Sequence, residues 1–529
     1  MKPNSNQQKI AELAKSVDLP HKLTKEVFQY LKHDILLSLY RDPEIYCEPR
    51  SKKYEARHVE LNKKIEDVYE ARYGRKFNYK IHSKNKRLPL FLFGIPGQGK
   101  TAVYHVAAKE TCAELGLNFV SHVTDNYVPE EDDFVMVVQE CAGENSAITF
   151  GGVPKAEEVT LPNGEKTSVL KKALNYRFTV FERCAGGVLL FDDAANAPSV
   201  IQNVLLPVAQ NSTFQGLHIP NACVGFTGNL GALDGTHVSE QSTALLTRVI
   251  PMFVTDSLKD FLFRGYAYYN DDLGDLGYFN FLERNENSFM SLPESGQKSG
   301  FACSRSHDNF LQSMRSVVER HGGREGLQDA LSEIHQLAYS MLGSKLGHEI
   351  AGYYNSYIRG ADPLARLFVK EGKFDLEKFK DKYKGGSSVE SLSFGTQFAT
   401  ACGDYAVGLL SDVENPTIDK PEFKEAVKRF GTAVLNLNDT EFGYAIEHFK
   451  NKLAVYIPDY SVPNKDKYEL RSEVRESIAR IINDLENCDF SKREALIAII
   501  TDYNKLEGVG GYGNKSSNTK ARRTKITAT

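Results

Sequence analysis

The stretch that most limits what this chain can fold into is GIPGQGKT, residues 94–101. It follows the apolar run LPLFLF (88–93) and opens a segment, TAVYHVAAKE, with helical spacing. The pattern is G-x-x-x-x-G-K-[ST], a loop whose backbone N–H groups cradle phosphates between a strand and a helix. Gly94, Gly97 and Gly99 permit the turn and the close approach of backbone to anion, while Ile95, Pro96 and Gln98 fill the spacer and Ala102 carries the helix onward. In this arrangement Lys100 reaches the β and γ phosphates of a nucleotide and the Thr101 hydroxyl is a ligand for Mg²⁺. A helix running from Thr101 to about Glu114 aims its positive end at the same place. Residues 94–102 are therefore the expected ATP contacts.

Binding is not hydrolysis, which also needs a carboxylate for Mg²⁺ and a group to handle water. GGVLLFDD (186–193) offers both: four apolar residues, Val188 to Phe191, read as a buried strand ending in Asp192 and Asp193. Asp192 is the expected metal acid, and Asp193 the group that orients or deprotonates the attacking water.

The other apolar runs are LNFVSHV (117–123) and ACVGFT (222–227). Short apolar strands alternating with helical segments predict a parallel sheet with crossover helices, an α/β class. Residues 7–72 read as helices and KIHSKNKR (80–87) as a solvated linker, while from about 256 helical spacing dominates to about 506. The domain expectation is a helical N-terminal extension (1–85), an α/β nucleotide-binding core (86–255), a helical lid (256–375), a further helical region (376–505) and a disordered basic tail (506–529). Pro162-Asn163-Gly164 predicts a hairpin turn. Phe150-Gly151-Gly152 reads either as a loop gripping a substrate or as a glycine-rich turn. The segment KYELRSEVRESIARIINDL (from 467) looks amphipathic, and Lys520 to Lys525 is a basic cluster.

At 529 residues the chain is too long for one core. A net charge of −4 argues against a nucleic-acid footprint over the whole chain. The first residues are polar, and no uncharged run reaches the roughly 18 residues of a membrane span. Eight scattered cysteines without a C-x-x-C pair predict reduced thiols and a cytoplasmic setting. His307 and His348 lack partners at metal-ligand spacing.

Four stretches resemble AAA+ ATPases of the MoxR-like branch, in the versions common in tailed phages. They are GIPGQGKT, GGVLLFDDAANAPSVIQNVLLPVAQ (186–210), FTGNLGALDGTHVSEQSTALLTRV (226–249) and FACSRSHDNF (301–310). The last departs from the family's P-R-S-W pattern at Ser304 and His307, and Asp193 stands where the family usually has Glu. The resemblance implies an AAA+ P-loop core with a helical lid. It makes Asn229 a sensor of the γ-phosphate, Arg248 a finger reaching a neighbouring subunit's site, and Arg305 a sensor acting within its own chain. Taken alone, Asn229 also reads as a turn residue and Arg248 as a surface arginine closing a helix, and Glu240 reads either as a coupling residue between subunits or as a solvated charge. The resemblance further implies a homo-oligomeric ring, typically a hexamer, acting on a protein client such as a von Willebrand-type protein. Two other readings remain: a DNA-directed motor or loader, and an ATP-binding assembly protein with little turnover.

Overall fold

The computed structural model describes residues 19–40, 52–78 and 88–454, save a few single positions and the stretches 239–240, 270–272, 293–298, 373–388 and 409–420, with four residues between 12 and 17. The 80–87 linker, Glu240, the amphipathic segment from 467 and the basic tail lie outside the described residues. So do Cys47 and Cys488; the other six cysteines are free and buried.

Eleven strands are described: β1 His21–Leu23, β2 Leu90–Phe93, β3 Asn118–Val120, β4 Asp133–Glu140, β5 Val153–Thr160, β6 Lys166–Ala173, β7 Gly186–Asp192, β8 Thr213–Phe214, β9 Leu217–His218, β10 Ala222–Gly228 and β11 Ile250–Thr255. Seven form one sheet in the order β1-β11-β2-β10-β7-β4-β3, every pair parallel. Helices flank it, and further helices follow. This is the α/β P-loop core that the sequence predicts.

The side chains alternate across that sheet with a period of two, as strands covered on both faces require. Phe91, Phe93, Leu189, Phe191, Val224 and Phe226 join one buried cluster with Ile201, Leu205 and Val208 of the helix Ser199–Asn211. Leu90, Leu92, Val188, Leu190 and Cys223 enter a second cluster on the opposite face, with the helices Thr24–Leu39 and Lys100–Leu115. The N-terminal segment thus belongs to the sheet's own core. Val27, Leu31 and Ile35 of its helix are fully buried there, at the spacing that one helical face presents. Within this segment, read from sequence as all helical, β1 pairs alongside β11.

The hairpin predicted at Pro162-Asn163-Gly164 is present, with β5 and β6 antiparallel and Gly164 N–H donating to the Leu161 carbonyl. The gripping role for Phe150 does not fit. Its ring is 4% exposed and packs in the core against Phe191 and Phe214, so it has no free face to offer a substrate.

The chain divides into two units. The first comprises Met1–Leu262, Leu282–Val317 and Ser332–Ala351, and holds the sheet. The second comprises Phe263–Phe281, Val318–Leu331 and Gly352–Thr529, and its described part is helical. Its interior carries charge in compensated sets. Arg324 bonds Asp362 at 2.8 Å; Lys452 bridges Asp275 and Asp404; His448 joins Asp404 to the Tyr266 hydroxyl. Among the described residues no helix is long and apolar enough to cross a membrane.

Gly225 shows how tightly the helix Lys100–Leu115 sits on the sheet. A Cβ there would lie 2.3 Å from the fully buried ring of Tyr104. Gly225→Ala should cost about 1–3 kcal/mol of stability through overpacking. Urea unfolding checks this, and the penalty should shrink in a Tyr104→Leu background, where the ring is gone.

Candidate active site

The loop 94–99 joins β2 to the helix Lys100–Leu115, and Gly97 and Gly99 adopt φ values of 80° and 74°. Those conformations suit glycine and are strained for other residues. Gly97 has a second reason. A Cβ would collide with Cys303 Sγ at 2.4 Å.

Lys100 turns back along the loop. Its ammonium donates to the carbonyls of Gly94 (2.8 Å) and Ile95 (3.2 Å) and to Asn229 Oδ1 (3.0 Å). None of these acceptors is charged. Burial pushes the Lys100 pKa down to about 8; the nearby carboxylates of Asp193, Asp234 and Asp192 pull it up, and Arg305 adds to the lowering. The structure brings Asn229 and Lys100 together from positions 129 residues apart because β10 and β2 are neighbours in the sheet.

Asp192 ends β7 beside the same helix. Thr101 Oγ1 donates to its two oxygens at 2.8 and 3.0 Å, and Thr227 Oγ1 donates to Oδ1. Thr227 was not identified from sequence. The register Phe226↔Phe191 sets it opposite Asp192, so the signal was the hydroxyl that ends the run ACVGFT. Thr227 Oγ1 also accepts the Asp193 N–H at 3.0 Å, fixing both acids through one side chain.

Asp193 adopts φ 51°, ψ 35°, the left-handed region. Among residues other than glycine, Asp and Asn enter it most readily. That supplies a physical reason for Asp at this position: a Glu would need the same backbone without the short polar side chain that eases it. The Asp193 carboxyl has no hydrogen-bond partner among the described residues. Its pKa is raised by burial and by Asp192, and drawn down by Lys100 and Arg305. A third carboxyl went unnoticed in the sequence. Glu140 ends β4, where it pairs with Asp192, and burial together with Asp192 and Asp193 raises its pKa.

These are hard oxygen donors at a helix N-terminus, with an excess of carboxylate. Among the described residues no group of three or more His, Cys, Asp or Glu forms a metal cluster. Mg²⁺ in phosphate sites needs only one or two protein ligands, since phosphate and water supply the rest. Thr101 and Asp192 fit that demand.

Asn229 begins a tight loop. Asp234, 2% exposed, accepts the Leu230 N–H at 2.8 Å and the Thr236 N–H at 3.2 Å. Arg248 lies two residues beyond the short helix Thr243–Leu246, and its guanidinium donates to Gln210 Oε1 (3.0 Å) and to the Ala244 carbonyl. No bond from Arg248 to the phosphate loop of its own chain occurs among the described residues. Arg305 behaves differently. Its backbone N–H donates to the Gly97 carbonyl at 3.2 Å, while its side chain is exposed and forms no hydrogen bond among the described residues.

The two departures in FACSRSHDNF both have structural roles. Ser304 Oγ donates to Asp256 at 2.9 Å, a bond proline could not make. His307 is fully buried, stacks on Phe289 at 5.4 Å and bonds that residue's carbonyl. His348 bonds the Ser344 carbonyl; neither histidine is placed as a ligand.

No protein-family model matches the chain, and no curated protein matches it. Among solved structures it is similar to a RuvB P216G mutant from Thermotoga maritima, at 14% identity and a TM-score of 0.25, over 62% of this chain and 79% of that one. The chemistry of the site is carried by its own side chains, not by that likeness.

Burial lowers the His307 pKa from 6.5 to about 4, against the raising effect of its hydrogen bonds to the backbone at Phe289 and Ser288. Between those values the unfolded chain takes a proton that the native chain refuses. Stability is therefore full above pH 6.5 and falls as the pH drops through this window, by about 2 kcal/mol at pH 5. The loss of urea resistance between pH 7 and pH 5 should be smaller in His307→Phe, which keeps the stacking and removes the titration.

Proposed function

We propose that the chain is an AAA+ ATPase of the MoxR-like branch, which hydrolyses ATP with Mg²⁺ in a ring-forming homo-oligomer, expected to be a hexamer, and so remodels or assembles a protein partner. The observation that carries the reading is the convergence on one helix N-terminus of Lys100, Asn229, Thr101, Asp192, Asp193 and Arg305, from four separate segments of the chain.

Each group has a task in phosphoryl transfer. Lys100 and the loop amides bind the β and γ phosphates. Thr101 and Asp192 would hold Mg²⁺, which neutralises charge on the phosphate oxygens. Asp193, its carboxyl without a hydrogen bond among the described residues and its pKa raised, orients the attacking water and takes its proton. Asn229, fixed by its bond to Lys100, contacts the γ-phosphate or the water, and Arg305 contacts the γ-phosphate within its own chain. Arg248 serves the neighbouring subunit; its anchorage on Gln210 and Ala244, without a bond to its own loop, supports that role. A von Willebrand-type protein is the first client to test and a host cytoplasm the expected setting.

Lys100→Ala should abolish nucleotide binding. Arg248→Ala should bind ATP as the wild type does and lose about 10³-fold or more in turnover, the range in which arginine fingers act. Mixing the two variants should restore some phosphate release, because an intact loop then meets an intact arginine across a shared interface. Normal turnover by Arg248→Ala alone would remove the finger. Asp193→Asn, which keeps the left-handed backbone at little cost, should bind ATP without turnover and retain its client in a pull-down.

A further inference from the structure

The helix Ser304–Arg320 meets the phosphate loop at two adjacent points. The Arg305 N–H bonds the Gly97 carbonyl directly. The second contact runs through Asp256, the residue after β11, which is 3% exposed. Its backbone N–H donates to Gln98 Oε1 at 2.9 Å, and its Oδ2 accepts from Ser304 Oγ at 2.9 Å. Gln98 is 1% exposed and Ser304 8%. Water therefore competes poorly for these bonds, and a bond to a buried carboxylate is stronger than one between neutral groups. Asp256 Oδ1 accepts from Ser257 N–H, and the Ser257 hydroxyl caps the next helix by accepting the Asp260 N–H. Asp256 is thereby fixed from three sides: the loop, its own following helix and the Arg305 helix.

Resting on the nucleotide reading of this loop, we propose that Asp256 and Ser304 are positioning residues, which hold Arg305 against the phosphate loop and so set the preference of the site for a nucleoside triphosphate over a diphosphate. Three features join in this. The hydroxyl that makes the bond immediately precedes the arginine. The arginine's guanidinium is exposed and free of hydrogen bonds among the described residues. The Gly97 bond and the Ser304–Asp256 bond tie two adjacent residues of the helix start to the loop and to the end of β11, and with the buried His307 anchor they fix the direction in which Arg305 leaves the backbone, which neither bond does alone. A diphosphate keeps the β-phosphate that the loop binds and lacks the γ-phosphate that Arg305 contacts. Loss of the positioning bond therefore weakens triphosphate binding and spares the diphosphate.

The test is equilibrium binding of fluorescent ATP and ADP analogues with Mg²⁺ to the full chain and its variants. Arg305→Ala should weaken triphosphate binding about tenfold, the scale of one charge-assisted hydrogen bond, and leave diphosphate binding unchanged. Ser304→Ala and Asp256→Asn should reproduce a several-fold part of that loss with diphosphate affinity intact, and Ser304→Thr should restore the wild-type ratio. If Ser304→Ala keeps the full triphosphate preference that Arg305→Ala loses, the positioning role is overturned. It is equally overturned if Ser304→Ala weakens both nucleotides alike, since that marks a merely structural contact. Should the wild type bind neither analogue, the nucleotide reading itself fails and the positioning role falls with it. Ser304→Ala removes one hydroxyl from a helix start, so the comparison stands even if Asp256→Asn does not fold.

Discussion

A buried ammonium surrounded by neutral oxygens sets the terms for everything near it. Lys100 is coordinated by two carbonyls and an amide, with no carboxylate in direct contact. A cation in such a place carries a desolvation cost that hydrogen bonds alone only partly offset, as its lowered pKa records. A polyanion would relieve that cost, and the helix N-terminus beside it favours the same charge. Around this cation the sheet order sets β10 beside β2 and β7 beside β10, so that an amide, two hydroxyls and two acids share one edge.

Much of that edge was legible in the sequence because its parts are local. The loop carries its glycines and lysine within eight residues, and the Asp192–Asp193 pair follows an unbroken apolar run. What was not legible depended on register. Thr227 gains meaning only when β10 lies on β7, and Glu140 only when β4 does. Strand β4 itself was missed because its apolar centre lies between acidic and amide residues. In β11 a proline second in the strand disguises a buried segment; at that end its missing N–H is least costly. β1 has three residues and no periodicity to read, so only its partner β11 makes it a strand.

The departures from family pattern look different once placed. At Asp193 the left-handed backbone favours the shorter acid. At residue 304 a hydroxyl replaces the rigidity of proline with a bond to a buried carboxylate, and at 307 an imidazole keeps the stacking of an aromatic while adding a bond to a carbonyl. Local pattern scored each as a loss. The packing around them shows what each substitution contributes, and in two cases that contribution is a hydrogen bond to a partner distant in the chain or a neighbouring element.

The pairing of β1 with β11 has a consequence for how the protein is made. His21 lies opposite Phe253, so the first strand leaves the ribosome long before its partner exists. At ordinary elongation speeds the wait is on the order of ten to fifty seconds. For much of it the greasy side of the adjoining helix, with Val27, Leu31 and Ile35, still lacks strands β7 and β10, which pack on it. Nascent chains of this kind cannot mature in the order they are synthesised: the earliest segment docks among the last, and until then it must be shielded by chaperones or by transient collapse onto itself.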